Sequence, residues 1–201
     1  MMSASRSAAV EGYVNFAKLI ASCRSRKETQ AYKAFAPTED DVRRLGEIGR
    51  EVLQHLPPEA GACALMSAVY AARLQSVGFA PAHVAAGSLL VLGQRVFGDG
   101  RPFDGAKAFS ESNTDWDGHA WVMFGPYVAD VSIFRTAYSS HAPRLLAAHV
   151  REEFGNGRGL LVVRWSDAPK SGLHYSPQYV LTESQVSGLV RGAAAHFSSP
   201  S

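Results

Sequence analysis

Apolar residues recur along the chain with two different periods, and the change of period divides it. Tyr13, Phe16, Ala17, Leu19 and Ile20 form a stripe of helical spacing that runs into the charged stretch Arg24 to Glu28. Val42, Leu45, Ile48, Val52, Leu53 and Leu56 mark one face of a longer helix, opened by a capping box of Thr38 with Asp41 and stopped by Pro57-Pro58. A third helix, Ala62 to about Val77, is dense enough in apolar positions to be largely buried, and Gly78 ends it. The helical period is then lost. Phe79 to Leu92 is an almost continuous apolar run, which predicts a strand interior to a sheet.

Residues 93–116 show no strong periodicity and are expected to form a long connection of the kind that walls a binding site. Asp117 to Val131 reads as two short strands joined by Gly125-Pro126, with His119 opening the first and Asp130 closing the second. Beyond it the pattern predicts a helix over Ser139 to Glu153, strands at Leu160 to Trp165 and Tyr175 to Leu181, and a last helix capped by Thr182 with Gln185. Helices first, then a mostly antiparallel sheet with flanking helices, is an α+β arrangement.

Composition narrows the classes. A chain of 201 residues, 46 % of them apolar, suits one well-buried core, so a single domain is expected over 11–197 behind a disordered N-terminus at 1–10. With 20 basic against 18 acidic residues and no long block of one sign, nucleic acid is not the expected partner. No apolar run reaches the roughly 18 residues of a membrane span, and the N-terminus lacks the apolar core of a signal peptide. Two widely separated cysteines, Cys23 and Cys63, then point to free thiols and a cytoplasmic setting, with export as an effector left open.

The chemistry lies in three residue types. His119 and Asp130 can be brought side by side by the hairpin, and a carboxylate fixes the tautomer of an imidazole and raises its basicity. A nucleophile completes such a pair. Cys63 falls on the first turn of a buried helix, where unpaired backbone N–H groups and the helix dipole favour a thiolate, which selects it over Cys23. His83, within the apolar strand, is expected to be a hydrogen-bonded structural histidine.

Three pieces together resemble the transglutaminase-like branch of the papain-like cysteine enzymes. They are Gly61-Ala-Cys63 opening a helix that ends in Gly78-Phe-Ala-Pro81, the strand Ala82-His-Val-Ala-Ala-Gly87, and Gly118-His-Ala-Trp-Val122 with Asp130 eleven residues beyond His119. The resemblance covers about residues 50 to 135. It implies a papain-like fold and a triad in which Cys63 is the nucleophile, His119 its base and Asp130 the orienter.

Relatives often carry a Gln shortly before the Cys to hold the oxyanion. Here Pro57, Pro58 and Glu59 occupy that neighbourhood, leaving the backbone N–H of Cys63 as the expected donor. Asp115 and Trp116 before the hairpin, and Trp121 two residues after His119, are candidates to line the substrate site. The function implied is acyl transfer from a peptide, protein or small amide or thioester through an acyl-enzyme, with no cofactor and no metal. Hydrolysis, deamidation and transfer to an amine remain open, as do a catalytically inactive binding module and an effector glutamine deamidase.

Overall fold

In a computed structural model of the chain, residues 15–57, 61–79, 81–99, 101, 103–110 and 116–198 are described, with 194–198 described for backbone alone. The expected disordered stretch 1–10 lies outside them. After a helix over 15–23 (α1), the elements are α2 (Arg26–Ala34), α3 (Glu39–His55), α4 (Cys63–Ser76), β1 (Ala82–Val91), β2 (Gln94–Phe97) and α5 (Gly105–Ala108). β3 (His119–Phe124), β4 (Tyr127–Asp130), α6 (Ile133–Tyr138), α7 (Arg144–Phe154), β5 (Leu161–Arg164), a 3₁₀ turn (Ala168–Ser171), β6 (Leu173–Val180) and α8 (Glu183–Ser198) follow. The architecture is α+β, with helices packed on an antiparallel sheet.

β1 organises the sheet. Residues Ala82 to Gly87 pair with β3, and Leu89 to Val91 pair with β2. β6 pairs with Ala85 to Val91. Because Ala85 to Gly87 bond β3 and β6 at once, these partners occupy opposite edges, and the same reasoning puts β2 on the β3 edge. β4 and β5 extend the sheet beyond β3.

Both faces of β1 and β3 are covered, which is why their sequences are apolar at nearly every position. Val84, Ala86, Ala120, Val122 and Phe124 join one core with α3 and α4, while Ala85, Leu89, Trp121 and Met123 join a second with α1, α2, α6 and α7. α4 buries Ala64, Ala68 and Ala71 beside the stripe Cys63, Met66, Ser67, Tyr70 and Leu74, so its buried face is wider than one stripe. Each large apolar side chain buried there contributes about 1.5–3 kcal/mol.

Three elements depart from the reading of the sequence. The charged stretch after Arg24 is α2, opened by a capping box between Ser25 and Glu28 that holds a polar sequence helical. The connection 93–116 contains β2 and α5, elements of four residues each and too short to show a period. The helix expected from Ser139 begins at Arg144, and a separate α6 precedes it. His83 is buried, yet among the described residues neither of its ring nitrogens has a hydrogen-bond partner, and burial first, then the Arg24 charge, lower its pKa to about 4. It packs as a neutral ring 5.8 Å from the ring of Tyr32, a correction to the hydrogen-bonded role expected for it.

Gly87 allows β1 and β6 to approach closely. A Cβ there would lie 2.1 Å from the Ser176 carbonyl oxygen, at the point where the pairing register shifts. Gly87→Ala should therefore force the two strands apart and cost about 1–3 kcal/mol. Circular dichroism should show a melting temperature lower by about 2–4 °C for each kcal/mol lost; an unchanged melting temperature would contradict this packing.

Candidate active site

The site assembles from the start of α4, the start of β3 and the end of β4. Ala62 precedes Cys63 as the N-cap of α4 and supplies no side-chain cap, and Gly61 turns the chain into it with φ +85°. The first intrahelical bond is donated by the Met66 N–H to the Ala62 carbonyl, 2.9 Å away. The N–H groups of Cys63, Ala64 and Leu65 thus precede the helical ladder. One turn along α4, the buried Ser67 hydroxyl donates to the Ala120 carbonyl at 3.1 Å. That bond ties the cysteine helix to the residue next to His119.

The hairpin register pairs Val122 with Ala129, so Trp121 stands opposite Asp130 and His119 lies diagonal to it. The diagonal is closed by a bond from His119 Nε2 to Asp130 Oδ2 at 2.6 Å, with both side chains buried. Because the carboxylate can only accept, Nε2 carries a proton, and Nδ1 is the nitrogen left to the Cys63 side chain, whose interaction with the ring also favours the charged imidazole. The sequence placed Cys63, His119 and Asp130 on separate elements. The structure brings them together in that order.

Asp130 is held from every side. Its Oδ2 also accepts from the Tyr175 hydroxyl at 3.0 Å. Its Oδ1 accepts from the Ser132 amide and hydroxyl and from the Ile133 amide, at 2.9, 3.0 and 3.0 Å. The last two amides open α6, so one carboxylate orients the imidazole and starts a helix. Arg135 on that helix reaches the carbonyls of Leu53 and Pro57, at 2.6 and 2.9 Å, and secures the end of α3 ahead of the cysteine.

Electrostatics follow from these contacts. Burial works against a charged imidazole, but the Asp130 carboxylate, its hydrogen bond and the Cys63 side chain outweigh it and raise the His119 pKa to about 10. Burial likewise works to raise Asp130, yet the His119 charge and hydrogen bond, the Ser132 amide and the Tyr175 hydroxyl hold it below its usual value. Tyr175 is raised well above 10, by burial and then by the Asp130 charge, and stays a proton donor to the carboxylate.

Phe97 stacks on the His119 ring with centroids 5.3 Å apart and planes 18° apart. Trp121 is on the other strand position of the same face, 6.1 Å from the imidazole, and is fully buried. Its indole N–H points to the Met123 sulfur at 3.2 Å. Trp121 is a core aromatic beneath the imidazole, which corrects its expected place in the substrate wall.

A cavity of about 620 Å³ flanks the first turn of α4. Gly61, Ala62, Ala64 and Leu65 form one wall, α5 with Phe109 a second, and α8 a third; Trp116 also lines it. Trp116 and the described part of the connection 93–116 thus wall a cavity. Gly118 lets the Trp116 indole lie over the backbone, since a Cβ there would come within 2.1 Å of the ring. Asp115 lies outside the described residues. Cys23 is apart from the triad, with its sulfur 3.5 Å from the Ser22 hydroxyl. Tyr175, Phe97 and Ser67 were not legible as site residues, because each reaches the site from a separate element and no local motif marks it.

No family model, curated protein or solved structure matches the chain. Among the described residues no group of three or more His, Cys, Asp or Glu side chains is placed to hold a metal ion, and no helix is long and apolar enough to cross a membrane.

The His119–Asp130 pair gives stability two pH limbs. Asp130 is depressed in the folded state, so its contribution is complete above an unfolded value of about 3.9 and is lost as pH falls through the lower folded value. His119 is raised, so its contribution is complete below 6.5 and is lost as pH rises through about 10. Urea unfolding of Asp130→Asn should show both limbs flattened and a loss of about 3–5 kcal/mol near neutral pH, as for a broken buried pair. A mutant curve parallel to the wild type would contradict the pairing.

Proposed function

We propose that the protein is a cysteine-dependent acyl-transfer enzyme of the transglutaminase-like, papain-like kind, acting on an amide or thioester. What supports the reading is the 2.6 Å bond from His119 to Asp130 with the Cys63 side chain interacting with the same imidazole, a grouping made by residues from three elements and buried among aromatic rings. A nucleophile, a base with its tautomer fixed and a carboxylate that fixes it are the parts that such chemistry needs.

In the reaction the proton of Cys63 is held on His119 before attack, and the anionic sulfur beside the imidazolium attacks the carbonyl carbon. The oxyanion of the tetrahedral intermediate lies toward the N–H groups at the uncapped start of α4, with the Cys63 amide as first donor. The intermediate collapses to a thioester on Cys63, and the imidazolium passes its proton to the departing amine or thiol. Water or an amine then attacks the thioester. His119 takes the attacking group's proton and returns it to the sulfur, releasing acid or a new amide. Asp130 acts through His119, stabilising the imidazolium and keeping Nδ1 toward the sulfur.

Alkylation tests the pair without a known substrate. Iodoacetamide at pH 6, followed by peptide mass spectrometry, should modify Cys63 faster than Cys23, because at that pH the charged imidazole of His119 stands beside Cys63 and favours its anionic sulfur. Asp130→Asn should slow that step strongly; in a comparable triad the same change costs about 10⁴ in turnover. Equal rates at the two cysteines, or a Cys63 rate indifferent to Asp130→Asn in folded protein, would favour an inactive binding module instead.

A further inference from the structure

The cavity beside α4 carries information about what the enzyme acylates from. Cys63 directs its sulfur to His119 and is absent from the cavity lining, but the lining includes the residues immediately before and after it, Ala62 and Ala64. A molecule held there lies against the backbone on either side of Cys63 and has to reach around the start of α4 to meet the sulfur. Much of the cavity lining is small or apolar. Ala62, Ala64, Ala108, Gly188 and Gly192 present small surfaces, and the rings of Phe109 and Trp116 lie 5.0 Å apart at 62°, edge to face, on one side. Small residues facing aromatic rings leave a slot in which a ring or planar group buries both faces.

The polar contribution to this slot is one-sided. Among the described lining residues Arg191 is the one charged side chain, and the remaining polar ones, Ser110, Ser184 and Gln185, are neutral. The Gln185 side chain is already engaged by the Tyr179 hydroxyl and the Thr182 amide. Arg191 is exposed at the rim, near Gly188 on the preceding turn of α8, and forms no ion pair among the described residues. An unpaired guanidinium at the mouth of an apolar slot favours a carboxylate on whatever fills it.

Resting on the acyl-transfer reading above, we propose that the donor substrate is an anionic amide or thioester, whose flat apolar portion lies between Trp116 and the small residues of α4 and α8. Arg191 reads its carboxylate. In this role Arg191 determines specificity, and Trp116 supplies the apolar wall.

Two matched labels test this with the intact protein: 4-(chloroacetamido)benzoate, which is anionic, and 4-(chloroacetamido)benzamide, its neutral counterpart. Each alkylates Cys63 by displacement of chloride, the thiol proton passing to His119, and iodoacetamide serves as a small reference. At low ionic strength the benzoate should label Cys63 about three- to fivefold faster than the benzamide, the size of an exposed ion pair. The ratio should fall to near one in Arg191→Gln and at roughly 1 M NaCl, where charges at this distance are screened. Trp116→Ala should slow both aryl labels relative to iodoacetamide. Melting curves of the two variants establish that they are folded.

If iodoacetamide labels Cys63 normally but the two aryl labels react equally, or the preference survives Arg191→Gln, the proposal is overturned while the acyl-transfer reading stands. If no reagent, iodoacetamide included, labels Cys63 ahead of Cys23, the nucleophile itself is wrong and this proposal falls with it.

Discussion

A buried carboxylate has to be surrounded by donors, because an unpaired charge inside a protein costs several kcal/mol. Asp130 meets that requirement with donors from three places: the imidazole of His119, the hydroxyl of Tyr175 and the amides and hydroxyl at the start of α6. Each donor brings its element with it. β3, β4, β6 and α6 are thereby fixed around one side chain, and α6 carries Arg135 to the end of α3. The same constraint that keeps the carboxylate charged keeps the imidazole in one tautomer.

The sheet gives this arrangement its stiffness. β1 is buried on both faces and bonded along both edges, so β3 and β6 are held at a fixed separation on either side of it. That separation sets the distance between His119 and Tyr175, which meet on the same carboxylate. α4 crosses one face of the sheet and is tied to β3 through Ser67 and Ala120, so Cys63 arrives at His119 as a consequence of packing one turn farther along the helix. A site built in this way sits on rigid elements, while the cavity wall comes from α5, α8 and the residues before β3, where side chains can vary without disturbing the relay.

The relay was more legible in the sequence than its surroundings. A capping box, a dense helix ending in glycine and a hairpin with its turn at Gly125-Pro126 are local signals, and they placed Cys63, His119 and Asp130 on the correct elements. Tyr175 was not legible, because its bond to Asp130 spans 45 residues and depends on β6 pairing with β1. Trp121 was misread for a related reason. Alternation placed it correctly on the face of His119, but that face is covered by a second core, and depth is a property of the whole fold. α2 was missed because its capping box lies in a polar stretch without an apolar stripe. Composition allowed a buried His83 and did not reveal that it would be packed without a hydrogen-bond partner.

The central claim is that Cys63 takes an acyl group with the help of His119, and trapping the acyl-enzyme tests it most directly. Brief exposure to 4-nitrophenyl acetate followed by acid quench and peptide mass spectrometry should find one acetyl group, on Cys63, in the wild type. His119→Gln, confirmed folded by its melting curve, should carry almost none. Acetyl found chiefly on Cys23 or on lysines, or acetylation of Cys63 undiminished in His119→Gln, would contradict the account.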